Sequence, residues 1–222
     1  MSCEPGTSPQ EAATVYVVDD DAAMRRSIAF LADSVGWRVQ SFDNATAFLA
    51  ARPTAPGCVV LDIRMPTMSG LELQTAMRAR AVHLPIIFVT GHADVSVAVQ
   101  AMKHGAWEFL EKPFHDQALL DAIAGAVRRS CADAAARDAQ SDTASRFAQL
   151  TPREREVAAR VARGEANRAI SEALSISAKT VQVHRQHVLE KMGAHSAAEL
   201  AAVLLPLLAR RGPPGRPDPG AD

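Results

Sequence analysis

The chain has 222 residues, with Lys+Arg 24 against Asp+Glu 25 and a formal net charge of -1. Hydrophobic residues make up 48% and charged residues 22%, the balance of a globular chain, which excludes fibrous, collagen-like and wholly disordered proteins. The small net charge is a cancellation: residues 1–125 hold 9 Lys/Arg and 14 Asp/Glu, whereas residues 146–212 hold 11 and 6. A basic half points toward nucleic acid or another acidic surface.

In chain order, short β-branched runs occur at Thr14–Asp19, Trp37–Phe42, Cys58–Asp62, Pro85–Thr90 and Trp107–Glu111. Between them apolar residues recur at helical spacing: Met24, Ile28, Leu31 and Val35, then Val95, Val99 and Met102, then Leu119, Leu120, Ile123 and Val127. Strands alternating with helices predict an α/β domain with a doubly wound, five-stranded parallel sheet. The first, third and fourth runs are almost wholly apolar, as strands covered on both faces should be. Arg129–Ser145 has no apolar stripe and reads as a linker or a solvated helical extension. From Phe147 to Ala209 the pattern is purely helical, and the Pro/Gly-rich tail cannot bury a core and is expected to be disordered. The predicted division is therefore 13–128, a linker 129–145, a helical domain 146–209 and a tail 210–222.

Cys3, Cys58 and Cys131 form no Cys-x-x-Cys pair, which argues against a metal or disulfide framework and for a reducing cytoplasm. Met1–Ala13 lacks the apolar core of a signal peptide. Leu200–Ala209, with Pro206 inside it, is about half a membrane span and is read as a buried helix.

The first run ends in Asp19-Asp20-Asp21 and the third in Asp62. Asp21 reads as a helix N-cap. In a sheet of order 2-1-3-4-5 the ends of strands 1 and 3 flank the crevice where ligands bind. Carboxylates converging there repel one another unless a hard cation lies among them, and oxygen ligands with open positions suit Mg²⁺. Strand 4 ends in the hydroxyl of Thr90, and strand 5 leads into Lys112. A metal, a cation, a hydroxyl and a carboxylate nucleophile together suit a phosphoryl group.

Val-Val-Asp19-Asp20, Leu-Asp62-Ile-Arg-Met-Pro66, Phe-Val-Thr90-Gly-His and Glu-Lys112-Pro-Phe, in this order at four strand ends, resemble a response-regulator receiver domain over about Thr14–Val127. The resemblance implies that Asp62 accepts a phosphoryl group from a sensor histidine kinase. It implies that Asp19, Asp20, Asp62 and the backbone carbonyl of Arg64 bind Mg²⁺. Thr90 and Lys112 would hold the phosphate, and Phe109 would be the aromatic switch, although an ordinary core aromatic fits that position equally. A cis bond before Pro113 is expected on the same ground. Arg64 and His92 would lie near the phosphate edge.

In the helical half, Thr151 is predicted as an N-cap, with Pro152 at N1 and Glu154 completing a capping box. Gly164 ends that helix. Asn167 starts a short helix with Ile170 and Leu174 inward, and Ser177 starts another with Val181, Val188 and Met192 on one face. His184 shares that face and reads as a buried histidine rather than a metal ligand. Opposite lie Lys179, Val183 and Gln186, with Gln182 and Arg185 at the edges. Glutamine can pair with adenine and valine can touch a thymine methyl, whereas Lys179 and Arg185 suit phosphates. The Ser177…Thr180-Val181…His184 core, with Leu150-Thr151…Glu154…Glu156-Val157 before it and Lys191-Met192 after, resembles a LuxR-type helix-turn-helix domain over Phe147 to about Leu208.

Both resemblances together imply a DNA-binding transcriptional response regulator of the NarL/FixJ class, nearer its FixJ-like subgroup. Such a regulator is not a turnover enzyme. Its partners would be a sensor kinase, double-stranded promoter DNA and a second copy, joined through helix 4 and strand 5, with RNA polymerase as a further partner and no membrane. Two other readings use the same residues. A Mg²⁺-dependent phosphohydrolase would need an acid two residues after Asp62, where Arg64 stands. The helical half could instead bind protein, which a mobility-shift assay separates from DNA binding.

Overall fold

A computed structural model describes residues 13–54, 56–91 and 95–211. The chain divides into two compact units, Met1–Ala136 and Arg137–Asp222.

In the first unit, strands β1 (Thr14–Val18), β2 (Arg38–Phe42), β3 (Gly57–Leu61), β4 (Ile86–Thr90) and β5 (Glu108–Glu111) form one sheet of order β2-β1-β3-β4-β5. Every pairing is parallel, and Val18 is in register with Leu61. Helices α1 (Ala22–Ser34), α2 (Ala45–Ala50), α3 (Gly70–Ala79) and α4 (Val95–Lys103) connect the strands, and α5 (Asp116–Ala148) follows β5. β1, β3 and β4 are buried at every residue, while β2 and β5 are partly exposed, as edge strands must be.

Alternate strand residues serve opposite faces. Tyr16, Val18, Val59, Leu61 and Phe88 pack with Phe48, Leu73 and Met77 on one side. Val15, Val17, Val60 and Ile87 pack with Ile28, Leu119 and Ile123 on the other. Cys58 lies in this second layer, fully buried, and burial pushes its thiol pKa up to about 12. Val35 is 41% exposed, contrary to the periodicity. The helix stops at Ser34, and Trp37, 6% exposed, fills the inward position instead. Val95, Val99 and Met102 mark α4 by their spacing, yet they face solvent, and its buried residue is Ala101.

α5 runs unbroken through 129–145, so the stretch read as linker or extension is helix. Arg129–Asp133 and Asp142–Arg146 ion pairs, each one turn apart, support its solvated face.

The second unit holds α6 (Pro152–Ala162), α7 (Asn167–Leu174), α8 (Ala178–Met192) and α9 (Ala197–Arg211). Thr151 and Glu154 form the predicted capping box, and Ser177 caps α8. The core comprises Val157, Val161, Ile170, Val181, Val188, Met192, Leu200 and Leu204. α9 is not buried all round: Val203 is 44% and Leu205 42% exposed. At 3.6 residues per turn only one stripe of an apolar run can face the core. α9 also continues to Arg211, so the first two residues of the expected tail are helical. The tail from 212 onward, His92 and Cys3 lie outside the described residues. Among the described residues no single helix is long and apolar enough to cross a membrane.

Candidate functional site

The carboxyl ends of β1 and β3 are locked together, because the Asp62 N–H donates to the Val18 carbonyl at 2.9 Å. This places Asp19 and Asp62 side by side, 2% and 7% exposed. Lys112 arrives from the end of β5, where its own N–H donates to the Thr90 carbonyl at 2.8 Å. Its Nζ lies 2.8 Å from Asp19 Oδ2 and 3.0 Å from Asp62 Oδ1. The peptide bond from Lys112 to Pro113 is cis, as the resemblance implies. Thr90 ends β4 at 1% exposure, and Asp20 stands exposed beside Asp19.

Backbone amides hold the remaining carboxylate oxygens. Asp19 Oδ1 accepts from Asp21 N at 2.8 Å, and Asp62 Oδ2 accepts from Arg64 N at 2.7 Å. Asp21 caps α1 as predicted, accepting from Ala23 N and Met24 N, and these bonds lower its pKa. Burial raises the pKa of Asp62 despite its hydrogen bond to Lys112, and the charge of Asp19 adds to the rise. Burial pulls Lys112 down, but its bonds to Asp19 and Asp62 raise it overall. One ammonium thus serves two carboxylates. Among the described residues no three acidic, histidine or cysteine side chains form a ready cage for a metal. What the described residues do bring together is the pair Asp19 and Asp62, an oxygen donor set of the kind that hard cations such as Mg²⁺ take.

A close backbone approach supports this site. Gly70, the first residue of α3, donates its N–H to the Ile63 carbonyl at 2.9 Å, and a Cβ there would strike the Asp62 carbonyl oxygen. Gly70 lies outside the motifs legible in the sequence, as does Arg25, whose guanidinium reaches the Asp19 carbonyl. Phe109 is half-buried on β5 and packs against the first core layer, so its position serves both readings of it. Val95, Val99, Met102 and Trp107 are 77%, 46%, 45% and 39% exposed, on α4 and just before β5.

In the second unit, Lys179, Gln182, Val183 and Gln186 are exposed on one face of α8. Gln182 and Gln186 line an open groove of ≈ 580 Å³ with Glu190 and His195. Arg185 differs from the expected free phosphate contact: it is half-buried, and its Nη1 donates to Asn167 Oδ1 at 3.0 Å. His184 has its Nδ1 buried without a hydrogen-bond partner among the described residues. Glu154, 4% exposed, does more than cap α6. Both its oxygens accept from Lys191 Nζ at 2.8 Å, tying the first turn of α6 to the last turn of α8. Lys191 and the Thr151 N–H hold its pKa at about 2.

Comparison with known proteins agrees with this geometry. Residues 15–124 match the response regulator receiver domain family, and residues 148–204 match the luxR family of bacterial regulatory proteins. The transcriptional regulatory protein FixJ of Bradyrhizobium diazoefficiens is 46% identical over 192 residues, covering 86% of this chain and 94% of that protein. The tetrathionate response regulatory protein TtrR of Salmonella typhimurium is 43% identical, covering 85% and 90%. Among solved structures, the response regulator StyR gives a TM-score of 0.78 at 41% identity, covering 88% of this chain and 99% of that one. The chain belongs to the FixJ-like two-component response regulators of the NarL/FixJ class, transcription regulators that join a receiver to a LuxR-type DNA-binding domain and are not turnover enzymes.

Proposed function

We propose that Asp62 is the phosphoacceptor of a cytoplasmic regulator whose phosphorylation promotes dimerisation and promoter binding. The observation that carries this reading is the shared ammonium: two buried carboxylates, Asp19 and Asp62, divide Lys112 between them at the carboxyl edge of the sheet. In this reading 13–128 receives the phosphoryl group, 129–145 links and 146–209 binds DNA.

Phosphoryl transfer from a kinase phosphohistidine needs an in-line oxygen and a preorganised positive field for a metaphosphate-like transition state. Asp62 supplies the oxygen, with Oδ2 oriented by the Arg64 N–H. Lys112 supplies a positive charge within hydrogen-bonding distance of Asp62. Asp19, Asp20, Asp62 and the Arg64 carbonyl would hold Mg²⁺, which would supply positive charge to the phosphate oxygens. Thr90 then donates its hydroxyl to the phosphate, and Phe109 follows it inward. The exposed apolar residues of α4 and the start of β5 form the dimer face in this reading. Dimerisation brings two α8 helices to two half-sites. Gln182, Val183 and Gln186 read bases, and Lys179 and Arg185 position the backbone; RNA polymerase is a downstream partner.

The test is intact mass after incubation with acetyl phosphate and Mg²⁺. One phosphoryl mass is expected on the native chain and none on Asp62→Asn; an unmodified native chain overturns the reading. DNA selection on the modified protein, followed by a salt titration, tests the second half. A groove binder loses affinity steeply with salt, and a flat response favours a protein-binding role.

A further inference from the structure

Every polar atom of Asp19 has a partner. Its N–H donates to the Phe42 carbonyl at 3.3 Å, Oδ1 accepts from Asp21 N and Oδ2 from Lys112. The remaining atom, the backbone carbonyl, lies past the end of β1. Arg25 Nη1 reaches it at 2.6 Å from the first turn and a half of α1. The backbone N–H of the same residue donates to the Asp21 carbonyl at 2.9 Å. Arg25 therefore grips the Asp19–Asp21 turn at both ends, once through its backbone and once through its half-buried side chain.

A guanidinium beside three acidic residues has two possible effects on a divalent cation, and they have opposite signs. As a charge alone it repels the cation, so its removal should tighten binding. As a clasp it holds the turn that carries the carboxylates, so its removal should weaken binding. A 2.6 Å charge-assisted bond to a carbonyl with no other partner in the strand ladder favours the second.

We propose that Arg25 is a positioning residue of the phosphoacceptor site: its bond to the Asp19 carbonyl sets the β1–α1 turn so that Asp19 and Asp20 present their carboxylates to a divalent cation. This rests on the receiver reading above and adds to it a residue outside the acidic cluster. The bond is to the backbone, so the effect is on the orientation of the turn. Substitution should therefore change cation affinity with little change in the affinity of α8 for DNA.

The experiment is calorimetric titration of Mg²⁺ into the full chain, native, Arg25→Met and Arg25→Gln, well below the unfolding temperature of each. The expected result is a Kd about tenfold weaker in both variants, with acetyl phosphate labelling slowed in parallel. A Kd within twofold of the native value, or tighter, overturns the clasp and leaves only the charge. If neither variant folds, Arg25 is a folding element and the proposal falls. A native chain that binds no Mg²⁺ sinks the phosphoacceptor function proposed above, and that outcome is visible before any variant is made.

Discussion

Each unit holds a buried carboxylate paired with a lysine, and the two pairs are built to opposite effect. In the second unit Glu154 has one lysine to itself, plus the Thr151 N–H, and its pKa falls to about 2. In the first, Asp19 and Asp62 divide one lysine, and burial raises the pKa of Asp62. The first unit is short of positive charge and the second is balanced. A balanced pair is a strut that ties one helix to another. A deficient pair is a place where a further cation or a neutralising reaction gains free energy. Two sites with the same residue types thus separate into structure and function by counting partners.

The largest effect is expected at the backbone support of the first pair. Gly70→Ala should destabilise the first unit by about 3 kcal/mol, because the added methyl meets the Asp62 carbonyl oxygen rather than a movable side chain. Chemical denaturation checks this, and an unchanged midpoint would mean that the acidic site does not depend on that close approach.

A smaller loss is expected at the strut. Glu154→Gln should cost the second unit about 2 kcal/mol at neutral pH, a figure discounted for the partial exposure of Lys191. Because the folded pKa of Glu154 lies below its unfolded value, this stability is complete above about pH 4.5. It is lost as pH falls toward about 2. Native and variant melting curves should therefore converge in acid, and a gap that persists there would show that packing, not charge, carries the effect.

The smallest change should have the opposite sign. Asp62→Asn leaves Lys112 to Asp19 alone and recreates the balanced arrangement of the second unit. Stability of the first unit should rise by on the order of 1 kcal/mol, the scale of one relieved like-charge contact in a partly screened site. Thermal unfolding in chelator-treated buffer measures it. A loss of stability would place Asp62 among the struts.

The sheet was legible in the sequence because strand burial writes itself as local apolar runs, and the five strands fall within a residue or two of them. The acidic site was legible because topology alone brings the ends of β1 and β3 together. What local pattern could not show was reach. The bonds from Arg25 to Asp19, Arg185 to Asn167 and Lys191 to Glu154 join residues by long side chains, and no periodicity encodes their direction. Glu154 was recognised as a cap for its spacing from Thr151, but its lysine partner lies 37 residues away. Gly70 carried a weak signal, a glycine directly after an N-cap serine, where a helix has no need of one. The exposed face of α4 shows the converse: its period gave the helix correctly and said nothing of which side met water.

Cys58 turns the centre of the sheet into a reporter. It lies on β3, four residues before Asp62, wholly shielded, and burial pushes its thiol pKa up to about 12. A thiol-reactive dye can reach it only when β3 opens, so its labelling rate in the native chain counts those openings. The strand that leads into Asp62 thereby records, without an engineered label, how often its own core comes apart.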